Sequence, residues 1–351
     1  MYEQFFGFRE RPFDLTPDPR YLVLTESHRE ALSNLAYGIA SRKGITLLIG
    51  EAGSGKTTVI RTAIDRQPVR VHCVHLHNPT LSRAEFAEML AFRYELSGPA
   101  SQSKARMLVE LETLLRARHD KGETSVLVVD EAHSLPLELL EEIRLLANIE
   151  TNSEKLLSVV VAGQPELAGR LNQQALRQFK QRVALRCELR ALSFAETREY
   201  IEGRIHAAGG VHAEIFTDDA IALVHTRAKG IPRTINVIAD NALLGAFAVG
   251  WKPITSQVVR EVCRDFDLTD PRDHADTSDQ RDRTAPAVTS GAPATADRWP
   301  PVVAPDPDPD PEQRPAAATD AGSGQVPRTM FASYTPKRKR FLPFSRSRGD
   351  E

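Results

Sequence analysis

The chain has 351 residues and a formal net charge of −2, from 45 Lys and Arg against 47 Asp and Glu. That length supplies about two domains and an ample core, and the near-neutral balance excludes a global attraction to nucleic acid or anionic membrane, so any such binding needs a local patch. Cys73, Cys187 and Cys263 stand far apart without C-x-x-C spacing, which points to neither a zinc site nor a disulfide framework and fits a reducing cytosol.

Met1-Tyr2-Glu3-Gln4 lacks a basic stretch followed by an apolar core and does not read as a secretory signal. The apolar run Ile45–Ile49 predicts a strand, and Thr57–Arg66 a helix. Between them Gly50-Glu51-Ala52-Gly53-Ser54-Gly55-Lys56-Thr57 reads G-x-x-x-x-G-K-T, a phosphate-cradling loop. Such a loop works between a strand and a helix N-terminus, where backbone N–H groups and the helix dipole favour negative charge. The nucleotide-binding set is therefore Gly50, Glu51, Ala52, Gly53, Ser54, Gly55, Lys56, Thr57 and Thr58. Lys56 is expected to reach the β/γ oxygens of a nucleoside triphosphate, and the Thr57 hydroxyl to hold Mg²⁺.

Further strands are expected at Val69–Leu76, Ser125–Asp130, Leu156–Ala162 and Val183–Cys187, with helices at Arg83–Leu96, Lys104–Lys121 and Leu137–Ile149. This alternation argues an α/β fold with a parallel sheet covered on both faces. The run Val126–Val129 ends in Asp130-Glu131. Asp130 is expected to bind Mg²⁺, and Glu131 to orient and polarise the attacking water. Asp130-Glu131-Ala132-His133 also spells the tetrapeptide of a helicase group. A helicase is set aside because the sequence shows no second motor domain. Gln164, after Val159–Gly163, either touches the γ-phosphate or lytic water or belongs to a plain strand-end turn. Arg182, with Arg177 as second choice, is either an arginine reaching a neighbour's γ-phosphate, worth roughly 10³–10⁵ in rate, or an exposed cation.

From Ser193 the pattern becomes all-helical. Ser193 with Glu196 reads as a capping box, and helices are expected at Thr197–Ala208, Asp218–Ala228, Pro232–Val249 and Ser256–Asp265. Pro232 suits a helix start. Arg233 then projects from the first turn towards the nucleotide, or is an ordinary surface arginine. The longest weakly polar stretch, Ala242–Trp251, is far too short to span a bilayer.

Composition changes near Leu268. Beyond it Asp, Thr, Pro, Ala, Ser and Gly dominate, with too little apolar surface to offset chain entropy, so a disordered tail is expected from Thr269. Pro305–Pro311 alternates Pro with Asp and should be extended. The tip carries Lys337-Arg338-Lys339-Arg340 and Phe341-Leu342-Pro343-Phe344. Its expected contacts are nucleic acid, with Phe341 and Phe344 stacking on bases, or an anionic membrane surface, or nothing.

These motifs in this order resemble the AAA+ ATPases and, more narrowly, the general secretion pathway protein A (ExeA) group. The narrower likeness rests on Met1-Tyr2, Phe5-Phe6-Gly7-Phe8, Pro12-Phe13, Leu15-Thr16-Pro17-Asp18-Pro19-Arg20, Tyr21-Leu22, His28-Arg29-Glu30-Ala31-Leu32 and Tyr37-Gly38-Ile39. It also rests on Gly163-Gln164-Pro165-Glu166-Leu167 and on Gly230, Pro232, Arg233, Ile235 and Asn236, and covers about Met1 to Asp265. The resemblance implies a three-layer α/β sandwich with a parallel five-stranded sheet in the order 5-1-4-3-2, plus a small all-helical lid. It implies ATP and Mg²⁺ as cofactors, Gln164 as sensor 1, Arg182 as arginine finger, Arg233 as sensor 2, and an adenine pocket lined by the segment around Leu22 to Leu35. The corresponding partition is an N-terminal segment 1–40, a nucleotide-binding domain 41–192, a lid 193–268 and a tail 269–351. Secretion proteins of the group continue into a transmembrane helix and a peptidoglycan-binding domain, for which this sequence shows no counterpart, so the cell-wall role is not expected to carry over.

The expected function is an ATP-hydrolysing switch or motor for an envelope-associated secretion, pilus or exopolysaccharide system. It would be homo-oligomeric through a trans arginine finger and act on a protein partner, in the cytoplasm or peripheral to the inner membrane. The alternatives are a nucleic-acid-binding ATPase of the transposition-regulator type, and a nucleotide-gated scaffold with little turnover.

Overall fold

The structure, a computed structural model, describes residues 1–15, 25–76, 81–210 and 215–268. All of these fall in one unit, Met1–Ala285. The expectations for the tail, including Lys337–Arg340, Phe341 and Phe344, and for Leu22 in the adenine segment lie outside the described residues.

In chain order the elements are α1 (Tyr2–Phe6), α2 (Glu26–Ala40), β1 (Ile45–Gly50), α3 (Lys56–Asp65), β2 (Val71–Leu76), α4 (Arg83–Arg93), α5 (Gly98–Ser101), α6 (Lys104–Asp120) and β3 (Thr124–Val129). They continue as α7 (Leu137–Leu146), β4 (Leu157–Gly163), α8 (Pro165–Leu171), α9 (Arg177–Arg182), β5 (Val183–Leu189), α10 (Phe194–Ala207), α11 (Asp218–Ala228), α12 (Pro232–Val249) and α13 (Ser256–Asp265).

The five strands are all parallel and lie in the order β2-β3-β4-β1-β5, the expected 5-1-4-3-2 read from the other edge. The central strands β1, β3 and β4 are buried along their whole length. That is why they read as continuous apolar runs rather than alternating ones: helices cover both faces of a parallel sheet. Successive side chains supply opposite faces. Ile45, Leu47 and Ile49 join Leu127, Val129, Val159 and Val161 under α4, α6 and α7. Leu48 joins Val126, Val128, Val160 and Ala162 against α2 and α3.

The last four helices form a second core. Its entry is fixed by a reciprocal capping box at α10: Ser193 N–H donates to the Glu196 carboxylate at 2.8 Å, and Glu196 N–H to the Ser193 hydroxyl at 3.3 Å. The N-terminal segment 1–40 divides between the two bodies. Helix α2 packs on the sheet. Tyr2, Phe6, Phe8 and Phe13 are buried in the helical core instead. Arg204 of α10 fastens this arm by donating to Pro12 O at 2.6 Å and Asp14 O at 3.2 Å. Four aromatic rings that close a small helical core account for the split, because each buries far more apolar area than the polar residues between them.

Phe13 is 1% exposed and meets Phe216 edge-on at 6.3 Å. Phe13→Ala should therefore destabilise the protein by about 3–5 kcal/mol, read as a lowered melting temperature. An unchanged melt would show that the arm adds nothing to the helical core.

Among the described residues no helix is long and apolar enough to cross a membrane. Cys73, Cys187 and Cys263 are free thiols.

Candidate functional site

Parallel strands deliver their carboxyl ends to one edge of the sheet, where α/β proteins place ligands. The register puts Ile49 beside Gly163 and Val129 beside Val161, so Gly50, Asp130 and Gln164 emerge next to one another. The loop from Gly50 then turns into α3, whose first turn has no side-chain cap. Its leading N–H groups therefore remain available to an anion.

Lys56 is 5% exposed, and its ammonium donates to Gly50 O at 2.8 Å and Glu51 O at 3.0 Å. Burial pushes its pKa down, opposed by the nearby Glu131 and Asp130 carboxylates. The Thr57 hydroxyl donates to Asp130 Oδ2 at 2.8 Å, and Glu131 N–H donates to Asp130 Oδ1 at 3.0 Å. Both oxygens of a 7%-exposed carboxylate are thus oriented beside one hydroxyl. This small, hard-oxygen donor set suits Mg²⁺, which takes one or two protein oxygens and completes its shell with phosphate and water.

Glu131 has a left-handed backbone (φ 53°), a conformation costing a non-glycine residue of order 1–3 kcal/mol. It turns the carboxylate out of the strand line, with the side chain 46% exposed and Oε2 at 3.6 Å from His133 Nε2. The Gln164 amide meets the same imidazole nitrogen at 3.1 Å. Arg170 pins this turn by donating to the carbonyls of His133 and, at 2.6 Å, Leu135. His75 Nε2 lies 3.8 Å from Asp130 Oδ2.

The helical body reaches the same loop. Arg233 N–H donates to Gly53 O at 3.2 Å, and a Cβ on Gly53 would stand 2.4 Å from Arg233 Cβ. Only glycine permits that approach, and Gly53 also has φ +79°.

Residues 39–171 match the family described as AAA domain. General secretion pathway protein A of Aeromonas hydrophila is 40% identical over 250 residues, 71% of this chain and 46% of that protein. The chain is an AAA-type protein related to general secretion pathway protein A. It spans a little under half the length of that relative. Among solved structures, the Aeropyrum pernix ORC2 protein (ADPNP-ADP complexes) superposes with a TM-score of 0.56 at 17% identity, covering 73% of this chain and 71% of that one. The Drosophila ORC bound to DNA superposes with a TM-score of 0.56 at 19% identity, covering 75% and 66%. At such identities these two likenesses concern the fold alone.

In this AAA chain Gly50–Thr58, Asp130, Glu131, Gln164 and Arg233 converge on one cleft edge, but Arg182 and Arg177 do not. Ile45 pairs with Val183, so Arg182 sits at the amino end of the sheet. With about 3.3 Å per strand residue, the five steps of β1 put Gly50 roughly 16 Å away. Arg182 and Arg177 are both exposed, and the charge of Arg182 is felt by Glu150. Sequence reasoning did not place His28, whose ring meets Ser54 O, or His75, His133 and Arg170 at this edge. His133 stood inside the acidic tetrapeptide and His28 inside the family-like stretch, but neither carries a spacing signal of its own.

Proposed function

We propose that this chain binds and hydrolyses ATP as an oligomeric AAA switch serving an envelope-associated secretion system. The observation that carries the reading is Thr57 bonded to Asp130, with Lys56 at the loop carbonyls and Glu131 alongside. The loop amides and Lys56 would take the phosphates, and Thr57 and Asp130 would hold Mg²⁺. Held there by Thr57 and Asp130, Mg²⁺ would offset the negative charge of the phosphates. Glu131 accepts a proton from the attacking water, and Gln164, held at His133, orients that water or the γ-phosphate. Arg233, next to Gly53, brings a helical lid of about residues 193–268 onto a nucleotide domain of about 41–192, and Arg182 completes a neighbouring subunit's site. Catalysis then rests on positioning and electrostatics.

The 40% identity to general secretion pathway protein A supports the secretion assignment. Deleting the gene and finding unchanged protein export would overturn that assignment alone.

The chemistry is tested by titrating protein and measuring phosphate release with Mg²⁺ and ATP. The expected result is a specific rate that rises with protein concentration as subunits assemble. A flat, near-zero rate favours a nucleotide-gated scaffold. Lys56→Ala should abolish binding of a fluorescent ATP analogue; retained binding would place the nucleotide elsewhere.

A further inference from the structure

His28 lies in the first turn of α2, far in sequence from the phosphate loop, and is 4% exposed. Both ring nitrogens are engaged: Nε2 is 3.1 Å from Ser54 O and Nδ1 is 2.7 Å from the Thr25 hydroxyl. A carbonyl only accepts, so Nε2 carries a proton and donates to Ser54 O. Burial pushes the His28 pKa down, which favours the neutral ring, whose Nδ1 then accepts from Thr25. The tautomer is set by these two partners.

The bonded carbonyl belongs to a revealing peptide unit. Ser54 C=O and the Gly55 N–H share one trans plane and point in opposite directions. Gly55 is the N-cap of α3, with φ 96°. Its N–H therefore belongs to the group that faces a bound phosphate. A flip of the Ser54–Gly55 peptide changes ψ of Ser54 and φ of Gly55, and glycine is the residue type that resists such a change least. A flip would turn a carbonyl towards the phosphates. Among the described residues the buried Ser54 hydroxyl has no hydrogen-bond partner, so the Ser54 side chain does not hold the plane.

The opposite end of the link is anchored too. Thr25 is the N-cap of α2. The adjacent Glu26 N–H bonds the Glu196 carboxylate at the start of α10.

We infer that His28 is a positioning residue that locks the Ser54–Gly55 peptide with its N–H facing the nucleotide phosphates, acting from helix α2 rather than from the loop itself. This rests on the reading that ATP occupies the phosphate loop. A carbonyl-bonded peptide is also polarised, which strengthens the N–H as a donor. Loss of the lock should fall on nucleotide affinity, with turnover at saturation nearly untouched.

The test uses His28→Ala, His28→Asn and His28→Gln in the full chain, with Lys56→Ala as control and N-methylanthraniloyl-ATP as probe. Gln carries an N–H donor near the position of Nε2, whereas Asn carries one near Nδ1 and falls short of Ser54. Ala and Asn should each bind the probe about tenfold more weakly, Gln within about twofold of the parent, at matching melting temperatures and with kcat changed less than KM. In the nucleotide-free protein, amide exchange across Gly50–Thr57 should speed up in the Ala and Asn variants and not in Gln. Gln no better than Ala, or Ala as tight as the parent, overturns the inference alone. Full binding by Lys56→Ala overturns the phosphate-loop reading and this inference with it.

Discussion

Glu131→Gln is expected to leave ATP bound with near-parent affinity while slowing its hydrolysis by about 10²–10⁴, the range associated with losing a positioned general base. The amide keeps the shape of the carboxylate but cannot take a proton from water. The local geometry should survive the change. The bond that orients Asp130 comes from the residue 131 backbone N–H rather than its side chain, and the turn is held independently by Arg170 on the carbonyls of His133 and Leu135. Single-turnover phosphate release together with fluorescent nucleotide binding measures both halves. Near-parent turnover would remove Glu131 from its role. Parallel loss of binding would instead make it part of the nucleotide cradle.

Arg182→Ala should lower turnover by roughly 10³ or more with little effect on nucleotide affinity, if the side chain completes a neighbour's site. Its own loop cannot be its target, since Val183 starts opposite Ile45 at the far end of the sheet. The decisive measurement is complementation. Arg182→Ala and Lys56→Ala proteins, each inactive alone, should regain activity when mixed, because the first supplies an intact loop and the second an intact arginine. No recovery, with Arg177→Ala showing both the loss and the rescue, would move the role to Arg177.

The sheet was legible from sequence because its three central strands are covered on both faces and so appear as unbroken apolar runs, as at Val126–Val129. The capping box at Ser193 and the helix start at Pro232 were legible because their chemistry is local, a serine with a glutamate three residues on and a proline at the first turn, although the helix expected from Thr197 begins at Phe194. Helix ends were less so. Helix α4 stops at Arg93 rather than Leu96, where Tyr94 caps it and Glu95 turns to φ 57°. The phosphate loop and acidic pair announce themselves because one short segment carries each. What stayed hidden depends on contacts between distant segments. Nothing around His28 indicates that its ring meets Ser54, and nothing around Tyr2 or Phe13 indicates burial among helices that begin after Ser193.

That last arrangement bears on the order in which the chain can fold. Tyr2 hydrogen-bonds Asp240, 238 positions later, so the N-terminal arm leaves the ribosome long before its binding site exists. The arm must wait, exposed and aromatic, while the whole sheet assembles between it and its destination. Closing so long a loop is entropically unfavourable until most of the structure is in place. The helical body is therefore expected to be the late-consolidating part of the molecule. A fragment starting at Ser193 would lack the aromatic plug at its centre, and a bulky fusion at the first residue would act on that late step rather than on the nucleotide cleft.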